Sequence, residues 1–335
     1  MVAALVCANL PMAAAASMAG CPQTITGQED VTVAGCTYTQ PVYVTGSAGI
    51  AFIDDTFVQN ASLSFKYVIN SRVDGSTFSA DGIHVGGVLV EDILGVRNTF
   101  ADNTIDGGSP TTSSAGGFDD GLIINDSTAD TVSGNRIANV WDCGIEGLEH
   151  VTNTTFADNT ISAAPIGICS YWWTSWRGNT VARNMIRDVR SGFYFDNLNG
   201  APDAESTVYF ADNTFTDNTV GPYVDSMMSA SFNMLVSPPY KDSRTNGARS
   251  DIETVSVDGN VFAGNDFGTT VDAPSFGVGV KQPDGSWVEL DTATSFVNGG
   301  GNVCGPPPSA YEPICGPKPP PTTTTTTTST TTTSS

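Results

Sequence analysis

A five-residue stretch, Phe100-Ala-Asp-Asn-Thr104, returns unchanged at Phe156–Thr160 and Phe210–Thr214, at nearly equal intervals. Looser copies lie between and after: Val132-Ser-Gly-Asn-Arg-Ile137, Ala182-Arg-Asn-Met-Ile186 and Val257-Asp-Gly-Asn-Val-Phe262. All share Asn-x-[Ile/Val/Phe]. A second pattern, Gly followed by apolar residues, recurs at Gly82-Ile-His-Val85, Gly121-Leu-Ile-Ile124, Gly144-Ile145, Gly167-Ile168 and Gly192-Phe-Tyr-Phe195. The last four copies are almost evenly spaced, near the short end of the roughly 20–50-residue periods that mark repeat architectures. Each unit thus holds a Gly-apolar strand and, later in the same unit, an Asn-x-Ile strand. Units this short cannot bury an apolar face alone and must stack on copies of themselves.

Two strands and their turns leave no room for a crossover helix, and no 3.6-residue periodicity runs through these units. The arrangement that fits is an all-β, right-handed, single-stranded parallel β-helix of about ten coils. Gly-Ile-x-Val followed by Asn-Thr-Ile in coils of this length resembles the repeat of the pectin-lyase-like superfamily. The resemblance covers most of residues 22–272. It implies the fold and leaves the activity open, because that superfamily includes lyases, hydrolases, epimerases and non-catalytic proteins.

The formal net charge is −22, from 13 Lys and Arg against 35 Asp and Glu. Phosphate contact needs a basic footprint, so nucleic acid is excluded as a partner. The acidic surface serves solubility or supplies carboxylate ligands for Ca²⁺. Residues 1–20 carry no charge and end in small residues, like a secretory signal peptide without its basic start. Met18-Ala-Gly-Cys21 also has the look of a lipoprotein box. No later apolar run is long enough to span a membrane. Cysteine usage agrees with export. Cys21 with Cys36 and Cys304 with Cys315 are the expected staples, and Cys143 with Cys169 is a third candidate pair at unequal offsets from its glycines. No cluster of Cys and His suggests structural zinc.

Four segments follow: a signal-like stretch at 1–20, the β-helix at 21–272, capping strands and a Cys loop at 273–316, and a Pro/Thr/Ser-rich linker at 317–335. Asp284-Gly285 marks a hairpin between Phe276–Val280 and Trp287–Leu290. The linker reads as an extended tether from a secreted monomer to a further domain or a surface.

Aligning the coils on their glycines sorts the candidate site residues. One residue after Gly stand Ile83, Leu122, Ile145, Ile168 and Phe193, which must point inward. Two after Gly, facing out, stand His84, Ile123, Glu146, Cys169, Tyr194 and Tyr223; four after, Asp196 and Asp225 join that face. Neighbouring coils lie about 4.8 Å apart. Asp196/Asp225 and Glu146/Asp196 therefore have the separations of catalytic carboxyl pairs, or of a Ca²⁺ site. Asp119-Asp120-Gly121, aligned with Asp81-Gly82, places a second carboxylate pair beside the loop at 107–117. It resembles the Asp-Asp pair of polygalacturonase-type hydrolases, whose Asn-Thr-Asp, Gly-His-Gly and Arg-Ile-Lys motifs this chain lacks.

The third candidate is the run Tyr171-Trp172-Trp173-Thr-Ser-Trp176, followed by Arg177, Arg183, Arg187 and Arg190. Flat rings and guanidinium forks suit the rings and carboxylates of acidic sugars. Asn103, Asn135, Asn159, Asn184 and Asn213 are expected to form structural ladders. These residues point to a secreted protein acting on acidic polysaccharide as lyase or glycoside hydrolase, or to a non-catalytic carbohydrate-binding or surface solenoid.

Overall fold

The computed structural model describes residues 16–17, 20–81, 87–108, 118–170, 175–195, 207–211, 214–216, 218–220, 234–236, 254–256, 260–265, 276–281, 287–289 and 296–302. The described elements are all strands, and they pair in parallel from coil to coil. The chain is a right-handed parallel β-helix. Among the described residues one sheet has eleven strands, a second has seventeen and a third has four.

One coil shows how the sequence makes the turn. Thr131–Ser133 lies in the first sheet. A corner at Gly134 and Asn135 leads to Arg136–Ala138, and a short arc leads to Cys143–Leu148, both in the second sheet. A corner at Glu149 opens the third sheet at His150–Thr152, and Thr155–Ala157 then pairs with Thr131–Ser133 one coil on. Each strand turns one apolar residue inward: Val132, Ile137, Ile145 and Val151 are all at most 1% exposed. They stack on Phe156, Ile161, Ile168 and Trp176 of the next coil, so the core is a set of apolar columns.

Corners need the left-handed backbone region, and Asp102, Asp158 and Arg183 enter it at φ of 54°, 58° and 53°. Asp and Asn tolerate that region because their short polar side chains bond locally. The next residue builds the ladder. The side-chain N–H of Asn103 donates to Asn135, Asn135 to Asn159, Asn159 to Asn184, Asn184 to Asn218, Asn218 to Asn265 and Asn265 to Asn302, at 2.8–3.0 Å. The ladder holds Asn103, Asn135, Asn159 and Asn184 as expected and continues through Asn218; Asn213 lies outside the described residues. The third copy of the five-residue motif has moved round the coil: Phe210 pairs with Trp176 in the third sheet, whereas Phe215 continues the column of Phe100 and Phe156. Successive corners are close in sequence, as Asn98 and Asn103 are, so one motif can serve either corner.

The recurring glycines have a steric cause. A Cβ on Gly167 would stand 2.5 Å from Ile186 Cγ2 and 2.6 Å from the Gly192 carbonyl oxygen. Gly121 and Gly144 meet Ile137 and Ile161 in the same way. The glycine column faces inward, against the isoleucines of the adjoining strand.

Cys21–Cys36 and Cys143–Cys169 are disulfide-bonded, with Cα atoms 5.5 and 6.0 Å apart. The second bond spans adjacent coils diagonally, because Cys143 pairs with Ile166 while Cys169 pairs with Glu146. Cys304 and Cys315 lie outside the described residues. Phe276–Lys281 pairs antiparallel with Trp287–Glu289, and it also pairs in parallel with Met234–Val236. Phe296–Gly300 pairs in parallel with Asn260–Ala263, so the stacking of coils reaches residue 300.

Candidate active site

The outward face of the second sheet carries one register column that includes Tyr43, Ser64, Glu91, Ile123, Glu146, Cys169 and Tyr194. The glycine alignment groups the last four of these, and the column corrects the rest. Asp120 pairs with Val88, and Asp119 is bound to Gly87: its backbone N–H donates to the Gly87 carbonyl at 3.0 Å and its Oδ2 accepts from the Gly87 N–H at 3.1 Å. The strand of that coil is therefore Val88–Ile93, further along the chain than the one aligned on Gly82. Glu91 takes the place assigned to His84, and Asp81 is not the partner of Asp119 and Asp120. At the other end, Phe193, Tyr194 and Phe195 pair with Met234, Leu235 and Val236, so the place assigned to Tyr223 belongs to Leu235. His84, Asp196, Tyr223 and Asp225 lie outside the described residues, as do Tyr171, Trp172 and Trp173.

Glu91 is hidden in the sequence because no glycine precedes it at the repeat position. Counting back from the Asn ladder finds it: Glu91 stands as far before Asn103 as Ile123 stands before Asn135.

The middle of this column is covered rather than solvated. Glu146 and Ile123 are each 7% exposed and Cys169 is 0%. Asp120, just beside them, is also 7% exposed, and its Oδ1 accepts from the Cys143 N–H at 3.0 Å. Among the described residues Glu146 has no hydrogen-bond partner, and no cation pairs with either carboxyl. Burial pushes the Glu146 carboxyl up to about 8, helped by the charges of Asp142 and Asp119. Burial also drives Asp120 well above the usual carboxylate range, with the charges of Glu146 and Asp142 adding to it and the Cys143 hydrogen bond opposing it. The charge of Glu146 opposes ionisation of Asp120, as two like charges in a dry place must. Glu91, half-buried, is raised chiefly by burial, against the hydrogen bond from Ser64 and the charge of Lys66. One rung is about 4.8 Å, so Glu91 and Glu146, two rungs apart, are separated by about 10 Å along the column.

As oxygen ligands for a cation such as Ca²⁺, Asp120 and Asp142 stand together, within 4.8 Å of each other and of the Cys143 sulfur. That sulfur is held in a disulfide and supplies no thiolate. Two carboxylates are a fraction of the six to eight oxygens Ca²⁺ takes, so water or ligand would have to complete the shell.

The aromatic and arginine group is not one surface. Trp176 is completely buried in the core, stacked on Phe156 at 5.1 Å and edge-on to Phe195 at 4.8 Å. Its strand, Ser175–Arg177, pairs with His150–Thr152, which sets Trp176 opposite the inward Val151. It is a core residue, not a sugar-binding one. Arg177 is exposed on the third sheet opposite Thr152, whereas Arg187 is exposed on the second sheet opposite Ser162. Arg183 forms a two-pronged pair with Asp158, at 2.7 and 2.6 Å. Tyr194 is half-buried against the small apolar cluster of Cys143, Ile166 and Cys169.

Three solved structures are similar in fold. PfbA, a surface adhesin of Streptococcus pneumoniae, is 10% identical with a TM-score of 0.42; the match covers 77% of this chain and 60% of the adhesin. An exopolygalacturonase from Thermotoga maritima is 8% identical at a TM-score of 0.40, with 79% and 83% covered. A mannuronic-acid-specific polysaccharide family 6 lyase from human gut microbiota is 12% identical at 0.38, with 81% and 80% covered. No curated protein sequence matches the chain. The family described as right handed beta helix region matches residues 24–234, well over half of the sequence, and the chain belongs to that family.

Proposed function

We propose that this protein is a secreted glycoside hydrolase that cleaves polysaccharide with Glu146 as general acid and Glu91 as general base. The observation that carries this reading is Glu146: a carboxyl more than nine-tenths buried, without a hydrogen-bond partner among the described residues, and protonated at neutral pH because its pKa is about 8. A buried acid that keeps its proton is what protonation of a glycosidic oxygen requires. Glu91, half-buried and hydrogen-bonded by Ser64, ionises more readily. A spacing of about 10 Å along the column is just beyond the ~6.5–9.5 Å that leaves room for a water between two carboxyls, and about twice the ~5 Å of a nucleophile and acid pair. In the step, Glu146 gives its proton to the leaving oxygen as the C–O bond breaks. Water oxygen bonds to the anomeric carbon, and Glu91 takes the water's proton. The product inverts.

The polar groups here favour a neutral glycan over the uronan suggested by the sequence. The charges of Asp119, Asp142 and Glu146 all bear on Asp120, whereas Arg177 stands on the third sheet and Arg187, though on the second, lies opposite Ser162, outside the register column. The two disulfides agree with an oxidising, extracellular compartment. The test is incubation with soluble neutral glucans and xylans, polygalacturonate and alginate, following reducing ends, unsaturated products and anomeric configuration by NMR. Inverted reducing ends that vanish with Glu146→Gln support the reading. Unsaturated products would make the protein a lyase, binding without products a carbohydrate-binding module, and full activity in Glu146→Gln would overturn the assignment of the acid.

A further inference from the structure

One corner of the solenoid turns apolar residues outward. Where the second sheet bends toward the third, successive coils place Gly27, Gly46, Tyr67, Leu94 and Asp126 at the same point. Each donates its backbone N–H to the strand end of the next coil. All five have positive φ, from 48° to 62°. Glycine and Asp suit that region, whereas bulky apolar residues seldom enter it. Tyr67 is 55% exposed, so burial does not account for its place. Two residues further on, the same coils set Ile69 and Val96 outward, in line with Ala48 and Thr128. Ile69 is 38% exposed, and Ile93, Leu94 and Val96 are half-buried. These five side chains make one apolar patch across two coils. Lys66 lies over the Tyr67 ring at 5.7 Å, and Arg97 Nε donates to Asn70 Oδ1 at 2.8 Å. Among the described residues neither cation is in an ion pair. One coil beyond Leu94, the same corner is acidic at Asp126, which stands 3.4 Å from His150.

We propose that this corner is the contact between two copies of the chain, packed antiparallel about a two-fold axis midway between the two coils. Such an interface is self-complementary, and each contact occurs twice. Tyr67 faces Leu94 of the second copy, and Ile69 faces its Val96. Arg97 faces Asn70 of the second copy, the same kind of acceptor it uses within its own chain. Lys66 comes within one rung, about 4.8 Å along the axis, of Asp126 on the second copy. The order of the charges selects a second copy as the occupant. Lys66 lies toward one end of the patch and Asp126 at the other, so reversal brings opposite charges together. A surface for an acidic partner would carry cations at both ends. The formal charge of −22 on each copy opposes approach from a distance, and salt at physiological strength screens that repulsion beyond about 8 Å.

The experiment is sedimentation velocity of the full chain at physiological salt, from micromolar to submillimolar concentration. A monomer–dimer equilibrium is expected. Tyr67→Gly and Leu94→Gly are the informative variants, because glycine holds this corner in the preceding coils and suits its backbone. Each should weaken the dimer at least about tenfold, since each removes an apolar contact from both halves of the interface. Their melting temperatures should stay close to wild type. Lys66→Glu should weaken the dimer alone, and mixing it with Asp126→Lys should restore a dimer of one copy of each. A monomer at every concentration overturns the proposal, whatever other protein the corner may then be found to bind. A dimer that Leu94→Gly leaves intact also overturns it. Melting of Leu94→Gly well below wild type assigns the corner to the fold and overturns it as well. Failure of the mixed charge variants to associate overturns the antiparallel arrangement.

Discussion

Asp92 and Asp130 are both buried inside the solenoid, at most 1% exposed, and the charge of Asp130 bears on Asp92. Asn98 fixes the pair: its side-chain N–H donates to both oxygens of Asp92 at 3.2 and 3.1 Å, and its backbone N–H donates to Asp130 at 2.8 Å. Burial and the charge of Asp130 keep Asp92 well above the usual carboxylate range, and burial puts Asp130 at about 7. Glu91 adds a smaller like charge.

The pair makes stability depend on pH. Both folded values exceed the ordinary Asp value of about 3.9, so between about pH 4 and 7 the native state binds more protons than the unfolded chain. Stability therefore falls as pH rises through that window, and the raised Asp92 carboxyl acts in the same direction. Asp130→Asn removes one of the two titrations, and it installs the residue that neighbouring coils carry at that ladder position, Asn98 and Asn179. The expected result is a visibly flatter melting temperature between pH 5 and 8, with a gain of a few kcal/mol at pH 8. Thermal melts of both proteins across that range decide it; parallel curves would refute the raised Asp130 carboxyl.

Gly167→Ala tests the inward glycine column. Its Cβ would collide with Ile186 Cγ2 and the Gly192 carbonyl, and the backbone oxygen cannot step aside. Overpacking of this kind costs roughly 1–3 kcal/mol. Denaturant melts should show the loss in midpoint with an unchanged slope. A wild-type midpoint would mean the glycine is kept for some other reason.

Neighbouring residues separate ladder from surface. Asn184 donates from its side chain to the Phe156 carbonyl and to Asn218, both at 2.9 Å, and is 1% exposed. Asn184→Ala leaves buried partners unpaired, at about 1–3 kcal/mol for each group left without a bond. Arg183→Gln removes only an exposed ion pair, worth about 1 kcal/mol at most. Urea titration of the two variants should differ by several-fold in stability lost; equal losses would put the ladder on a level with the surface pair.

The fold is legible in the sequence because its devices repeat. Asn at each corner and an apolar residue at each inward place follow from a backbone that returns to the same geometry each coil. Sequence misleads where the repeat is degenerate or interrupted. Asn213 reads as the next rung, but Asn218 follows Asn184 in the ladder, because Phe210 of the repeated motif pairs with Trp176 in the third sheet. Trp176 groups with Trp172 and Trp173 by proximity in sequence, although its strand follows Val151 into the core. Glu91 is hidden because extra residues at 82–86 and 109–117 shift the glycine count but not the ladder count. The burial of Glu146 has no sequence signal: alternation sends it outward, and what covers an outward face is not a property of the strand.

The pH profile of kcat/KM tests the two glutamates together. Glu146 must carry a proton to act as acid, so activity should decline above its pKa of about 8. Glu91 must be ionised to take a proton from water, so activity should decline on the acid side, at a pH above that of an ordinary Glu because burial raises it. The expected profile is a bell with its alkaline limb near 8. Glu146→Gln should lower kcat by about 10²–10⁴ while binding survives, the usual worth of a positioned acid. Glu91→Gln should lower it comparably and abolish the acidic limb. Ser64→Ala removes the hydrogen bond that holds Glu91 ionised, so it should move the acidic limb to higher pH and leave the alkaline limb in place. A profile whose alkaline limb stays near 8 in Glu146→Gln would assign that limb to another group, with Asp120 the next carboxyl to examine.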